Sequence, residues 1–348
     1  MNDVNSLRQY DNIDTVLSPS QNSMIFGHED ARHFLAQMHK EGRLHHALLF
    51  EGEHGIGKAT LAFHLAWNIL SSQKSDFLQP ESNSSTWRQI MQGSHPGLLH
   101  ISRRFDLKNQ KFKTGILIDD IRDVMHFLNQ TSRDNGWRIV IIDSADDMNR
   151  SAANAILKML EEPPAKTLFI IITHSLGRLL PTIRSRCQQI SLRPLHNDEM
   201  KQVITHVFSN HDLNDEEAIE VIIQKSKGNP RKAALLIFHG GFEIVQTIDT
   251  LFKQSVCNPA IVHVLAQTLS SDVQFQQFSD EILDKIQERA IMLVERGDLL
   301  LSKNCAQVWQ EIHQKIREIQ SFNLDKKQFI INLLFKIHKI IRESEIFA

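Results

Sequence analysis

The segment Gly52-Glu-His-Gly-Ile-Gly-Lys58 constrains this chain more than any other. It follows a short apolar run, Ala47-Leu-Leu-Phe50, and precedes a stretch whose apolar residues Leu61, Leu65, Ala66 and Ile69 fall on one helical face. A buried strand that enters a helix through G-x-x-x-x-G-K is the setting of a phosphate-binding loop. Its glycines let successive backbone N–H groups converge on phosphate oxygens, and the helix N-terminus adds a favourable field. Gly52, Gly55, Gly57, Lys58 and Thr60 are therefore candidate nucleotide-binding residues, with Lys58 reaching the outer phosphates. The bland alternative is a glycine-rich turn without a ligand. One position departs from the pattern: the residue after the lysine is Ala59, where a hydroxyl would ligate Mg²⁺. Thr60 lies about 100° further around the helix and does not replace it.

Around this loop, strands and helices alternate. Helices are expected over Ala31–Glu41, Thr60–Leu70, Ile121–Asn129 and Ser151–Leu160, the last ended by Pro163-Pro164. Strands are expected at Ala47–Phe50, Leu98–Ser102, Gly115–Ile118, Arg138–Ile142 and Thr167–Thr173. Residues 71–86, rich in Ser, Gln, Asn and Asp, read as a surface loop. Short apolar strands alternating with helices predict an α/β fold, a parallel sheet with helices on both faces. After Pro194 the alternation fades, and from Asp198 almost everything reads as helix. The expected organisation is a flexible polar leader over 1–23, an α/β domain over 24–194, a small helical domain over 195–241 ending at Gly240-Gly241, and an all-α domain over 242–348.

Composition narrows the classes. At ~150 residues per domain, 348 residues suit two or three domains. A formal charge of −2 argues against strong autonomous nucleic-acid binding. Cys187, Cys257 and Cys305 are widely spaced, with no C-x-x-C, which fits reduced thiols in a cytoplasmic protein. No apolar run nears the ~20 residues of a membrane span, and no membrane association is expected. The leader lacks the apolar stretch of a signal peptide. No cysteine lies between Lys58 and Asp143, and the histidines have no metal-ligand spacing, so no metal and no zinc are expected.

A second acidic strand, Ile139-Val-Ile-Ile-Asp143, has the form of a Walker B strand, whose Asp holds Mg²⁺ through water. Active AAA+ proteins follow that Asp with a Glu that activates the attacking water. Here the next residue is Ser144, whose hydroxyl cannot serve as a base unaided. Asp146 and Asp147 are expected to cap the following turn or face solvent. Metal positioning and water activation are thus both lost. That combination marks a degenerate ATPase site, and no hydrolysis is expected from the isolated chain.

The order His45-His46-Ala47, phosphate loop, Asp143–Met148, Asn154-Ala-Ile-Leu-Lys-Met-Leu-Glu-Glu-Pro-Pro164, Ser185-Arg-Cys187 and Gly228-Asn-Pro-Arg231 resembles the bacterial clamp-loader subunits. These AAA+ proteins open the ring-shaped sliding clamp and place it on DNA. The resemblance covers about 200 residues and implies a P-loop AAA+ domain, a helical lid and an all-α collar. It implies that Arg186 projects into a neighbouring subunit's ATP site as an arginine finger in trans. It places Thr173 at the sensor 1 position, Arg231 at sensor 2 facing the chain's own phosphates, and Ile25-Phe26-Gly27 near the adenine base.

Many relatives carry a four-cysteine zinc module, which this chain lacks. Within the family, a degenerate loop combined with an intact Ser-Arg-Cys is similar to delta-prime, the stator type. That type works beside motor (gamma/tau) and delta subunits and meets the sliding clamp and primed DNA through the complex. It requires no cofactor of its own, and any ATP or ADP in its loop would be held with weakened Mg²⁺. The alternative is an ATP-hydrolysing motor-type subunit or related remodeller. The apolar stripe within Asn332–Ile341 suits either a collar contact or a self-contained bundle.

Overall fold

The computed structural model describes residues 10–13, 15–71, 79–81, 84–129, 136–207, 216–269, 271–322 and 324–346. The chain divides into two compact units, Met1–Ala234 and Leu235–Ala348. In chain order the first holds α1 (Glu29–Lys40), β1 (Ala47–Glu51), α2 (Lys58–Leu70), α3 (Ser85–Met91), β2 (Leu98–Ile101), β3 (Phe105–Asp106), β4 (Lys111–Phe112), α4 (Ile118–Asn129), β5 (Arg138–Asp143), α5 (Arg150–Glu161), β6 (Thr167–Thr173), α6 (Pro181–Arg184), β7 (Gln188–Ser191), α7 (Asn197–Val207), α8 (Glu216–Ser226) and the start of α9 (Pro230–Phe238).

Five strands form one sheet in the order β2-β5-β6-β1-β7, every neighbouring pair parallel. The three central strands read as unbroken apolar runs because both of their faces are covered. Side chains alternate between the faces with period two. Leu48, Phe50, Ile139, Ile141, Leu168 and Ile170 join a core with Leu35 of α1 and Leu61 and Leu65 of α2. Ala47, Leu49, Val140, Ile142, Phe169 and Ile171 join another with Val124 of α4 and Ile156 of α5. Burying each such Leu or Ile contributes roughly 1.5–3 kcal/mol. These two cores fix the strand ends, and with them every residue of the site.

Four details differ from expectation. β7 pairs with β1 and was not anticipated, since only Ile190 of Gln188-Gln-Ile-Ser191 is buried, as befits an edge strand. Residues 115–118 make no strand: Ile116 forms a single bridge with Met148, and α4 begins at Ile118. Within the expected loop over 71–86, residues 72–78 and 82–83 lie outside the described residues, and Ser84 caps α3 by accepting from the Trp87 amide. The fourth concerns the leader, of which residues 1–9 and 14 lie outside the described residues. The described part is docked rather than frayed. Ile13, Ser18 and Ser20 are buried, and the Asn22 carbonyl meets His64 Nε2 at 2.8 Å.

The second unit holds α10 (Gly241–Lys253), α11 (Pro259–Thr268), α12 (Asp272–Glu295), α13 (Leu299–Phe322) and α14 (Lys326–Ile346). The division falls within α9, a few residues before the Gly240-Gly241 pair; Gly240, at φ +68°, is the N-cap position of α10. α12 opens on a full capping box between Ser271 and Gln274. The apolar stripe of α14 is consumed inside this unit, where Ile330, Leu333, Leu334 and Ile337 join its core. The exposed apolar side chains cluster instead where α12 meets α13, at Ile291, Val294, Leu299 and Leu300. No single helix among the described residues is long and apolar enough to cross a membrane.

Candidate functional site

The phosphate loop joins the carboxyl end of β1 to the first residue of α2. Its sharp path requires glycine. Gly52 has φ +146°, and a Cβ there would lie 2.5 Å from the Leu192 carbonyl oxygen, while Gly57 has φ +102° at the N-cap of α2. Lys58 is 3% exposed, and its Nζ donates to the Gly52 carbonyl at 2.7 Å and the Glu53 carbonyl at 2.5 Å. Burial pulls its pKa down to about 8, against the opposing pull of Asp143, Asp146 and Glu53. Ala59 turns its methyl group to the core, and Thr60 follows on α2, half-buried.

Asp143 ends β5 beside this lysine. Removal from water raises its carboxyl to about 6, an effect the Lys58 charge partly offsets. Ser144, next along, is buried. Neither following carboxylate is a solvated replacement for a catalytic glutamate. Asp146 accepts from Thr173 Oγ1 at 3.1 Å and from the His174 and Ser175 amides at 2.7 and 3.3 Å. Thr173, fully buried at the end of β6, thus spends its hydroxyl on the chain itself. Asp147, rather than capping a turn or facing water, pairs with Arg103.

Arg231 lies against the loop at the start of α9. Its amide donates to the Gly55 carbonyl at 3.2 Å, and a Cβ on Gly55 would meet its Cβ at 2.5 Å. The guanidinium does not face an open phosphate pocket. It donates to the Asp11 carbonyl at 2.6 Å and to Asp11 Oδ1 at 2.5 Å. The other carboxylate oxygen of Asp11 meets His54 Nε2 at 2.5 Å. Loss of water raises the Asp11 pKa, but the His54 hydrogen bond and the Arg231 charge bring it below its ordinary value, so the group is ionised. Asn229 donates to the His54 carbonyl at 2.6 Å. Asp11, His54 and Asn229 were not among the candidates. Asn229 was visible in Gly228-Asn-Pro-Arg231, whereas Asp11 sits in a leader without periodicity.

The structure therefore gathers Gly52, Gly55, Gly57, Lys58, Asp143, Thr173 and Arg231 at one end of the sheet. The loop's backbone suits a phosphate. The donor set does not suit Mg²⁺, for it offers Asp143 but no hydroxyl at position 59. In this conformation both cations that would meet a phosphate are engaged by the chain itself.

Arg186 stands apart. It follows α6 and lines an open cleft of about 480 Å³ with His45, His46, Leu160, Glu161 and Ser185. His45 and His46 immediately precede β1, so this cleft lies at the opposite end of that strand from the loop. Five residues at about 3.3 Å each put roughly 16 Å between the two. Arg186 Nη2 pairs with Glu161 at 2.5 Å, and Nη1 donates to the Thr182 carbonyl at 2.9 Å. The two imidazoles stack at 4.3 Å, and His46 Nε2 meets the Leu160 carbonyl at 2.9 Å.

The parallel sheet, the loop at the end of β1 and the flanking helices are those of a P-loop α/β fold. A family model described as "DNA polymerase III, delta subunit" matches residues 27–196. The delta-prime subunit of DNA polymerase III from Pseudomonas aeruginosa is 34% identical over 217 residues, which take in 61% of this chain and 62% of that protein. The Escherichia coli delta-prime subunit is 33% identical over 211 residues, or 59% of this chain and 58% of that one. The match thus spans about three-fifths of the length of these relatives. A gamma subunit from Buchnera aphidicola subsp. Baizongia pistaciae is 29% identical over 306 residues, covering 81% of this chain and 79% of that protein. The matched sequence model and these relatives make the chain similar, over its first three-fifths, to the clamp-loader subunits of DNA polymerase III, delta-prime and gamma both among them.

Proposed function

We propose that this chain is the stator of a DNA polymerase III clamp loader. It hydrolyses no ATP itself and completes the ATP site of a neighbouring motor subunit of the gamma or tau kind. The observation that carries this reading is the position of Arg186. It lies on an open surface roughly 16 Å along β1 from its own phosphate loop, so the nucleotide it serves belongs to another subunit.

The chemistry follows from the groups present. A guanidinium is always charged and presents a rigid fork of donors that matches phosphoryl oxygens. Held at an interface from which water is excluded, it stabilises charge on the transferring group. The Thr182 carbonyl and the Ser185 hydroxyl accept from Nη1 of the guanidinium, and Glu161 holds Nη2 until a phosphate competes for it. Within its own loop, Ala59 and Ser144 leave magnesium and the attacking water without their usual partners. The second unit, with the apolar residues exposed between α12 and α13, would join delta and motor subunits in a collar. Sliding clamp and primed DNA are then met through the complex in the cytoplasm. The near-neutral chain alone is expected to bind primed DNA weakly at physiological salt.

The test is clamp- and DNA-stimulated ATP hydrolysis by a complex reconstituted with motor and delta subunits, comparing wild type with Arg186→Ala. Depressed hydrolysis with intact assembly supports the finger in trans. Unchanged hydrolysis removes it. Hydrolysis by the isolated wild-type chain, abolished by Lys58→Ala, would favour a motor-type subunit instead.

A further inference from the structure

We infer that Asp11 is a built-in occupant of the phosphate site: its carboxylate holds Arg231 and His54 as a nucleotide phosphate would, and nucleotide enters only when this segment leaves. The inference rests on reading Gly52–Lys58 as a phosphate loop and is independent of the role given to Arg186.

Three features of the geometry support it. First, the contact is of the kind a phosphate makes. A guanidinium binds carboxylates and phosphates with the same fork of donors. Arg231 grips Asp11 twice, through the carbonyl at 2.6 Å and Oδ1 at 2.5 Å, and His54 takes Oδ2. Both carboxylate oxygens are thus used, one by the arginine at the start of α9 and one by the loop itself. Second, the backbone that carries the two receiving groups is held by the loop and its surroundings. The Arg231 amide is bonded to Gly55, the His54 carbonyl to Asn229, and the His54 ring packs edge-on against His174 at 4.7 Å.

Third, the segment carrying Asp11 has its own anchor beside the site. The Tyr10 ring lies under the Arg103 guanidinium at 4.4 Å and meets Phe112 of β4 edge-on at 5.4 Å. Arg103 is in turn paired with Asp147, in the turn after β5. Ile13 is buried two residues further on. Asp11 is therefore flanked by docked residues on both sides, and delivery of its carboxylate is part of how the segment packs. Meanwhile the Lys58 ammonium donates to the carbonyls of Gly52 and Glu53 within the loop.

The ligand class that competes is a nucleoside di- or triphosphate. Its apparent affinity is lowered by the fraction of molecules in which the segment is docked.

The experiment titrates the full-length chain with a fluorescent ADP analogue without Mg²⁺, comparing wild type, Asp11→Asn and Asp11→Ala. Asp11→Asn keeps the shape of the side chain and removes its charge. The expected result is binding on the order of tenfold tighter in both variants, with the gain lost when Lys58→Ala is added. Tyr10→Ala, which loosens the anchor and leaves the carboxylate in place, is expected to move affinity in the same direction by less. Equal affinity in wild type and Asp11→Asn would overturn the inference, because Asp11 would then be a packing contact only. Binding in none of the variants, with each shown folded by its melting transition, would overturn it too. A gain that survives Lys58→Ala would place the ligand elsewhere and have the same consequence.

Discussion

At the carboxyl end of β1 the charged groups are paired inside the chain; at its amino end an arginine and two histidines line an open cleft. Lys58 bonds to its own loop, Arg231 to Asp11, and Thr173 to Asp146. Arg186 has an ion pair with an exposed glutamate, one backbone oxygen and the Ser185 hydroxyl. The first end has the architecture of a nucleotide site whose donors are satisfied internally. The second keeps its donor at the surface, where another molecule's phosphate can take it. The same strand thus links a site that has turned inward to one that faces out. Substitutions on the two sides should accordingly read out in different quantities, stability on one and partner activity on the other.

The largest expected effect belongs to the open end. Arg186→Ala should slow hydrolysis at the adjoining motor site by roughly 10²–10³-fold, measured by single-turnover kinetics of the reconstituted complex. The melting temperature of the isolated chain should stay as it is, because an exposed ion pair contributes about 0–1 kcal/mol. A large loss of stability would mean that Arg186 is structural and would erase the contrast.

Gly52→Ala is the counterpart at the closed end. The substitution forces a side chain into φ +146° and 2.5 Å from the Leu192 carbonyl oxygen, a backbone atom that cannot step aside. A loss of about 2–4 kcal/mol is expected in urea unfolding followed by a first-unit probe. Ser185→Ala, beside Arg186, removes an exposed hydroxyl that donates to the Thr182 carbonyl and accepts from Arg186, and should cost about 1 kcal/mol or less.

Acid should act on the first unit through His64. The side chain is fully buried on α2, where loss of water lowers its pKa from 6.5 to about 4. Between these values the unfolded chain binds the proton and the folded chain does not. Stability is therefore complete above pH 6.5 and is lost progressively as the pH falls toward 4, by at most about 3 kcal/mol. Burial likewise lowers His100 to about 4 and His174 to about 3, so His64→Gln should remove only its own share of the slope in urea midpoints measured from pH 7 to 4.5. An unaltered slope would assign the acid sensitivity to other groups.

Legibility in the sequence followed burial. β1, β5 and β6 are covered on both faces and appear as apolar runs, whereas β7 buries only Ile190 and carries no such signal. Gly52–Lys58 was readable because a phosphate loop needs its residue types at fixed spacing. Arg231 was readable through the motif that contains it, but its engagement by Asp11 was not, since the two are 220 positions apart and the leader has no periodic pattern. α14 was legible as an amphipathic helix, yet its pattern could not say whether the stripe faces a partner or its own unit. The latter holds, while one group of exposed apolar side chains lies at the turn between α12 and α13. Glu161 belongs to a quoted motif, but only folding brings it to Arg186, from the far end of α5.

That glutamate sets the smallest and finest test of the comparison. If the open end is built to release its arginine, Glu161 restrains Arg186 only weakly, and a neighbour's phosphate must be able to displace it. Both side chains are partly exposed, at 34% for Arg186 and 48% for Glu161, so water and salt screen the pair. Glu161→Gln should therefore leave unfolding free energy within about 0.5 kcal/mol of wild type. In the reconstituted complex it should raise hydrolysis by about two- to threefold at low salt, since a conformer already free is not lowered in population by the ion pair. The gain should shrink at high salt, where the wild-type pair is itself screened. A fall in hydrolysis instead would mean that Glu161 aims the guanidinium rather than parks it. Glu161→Asp would then restore part of the activity, and the open end would be as preorganised as the closed one.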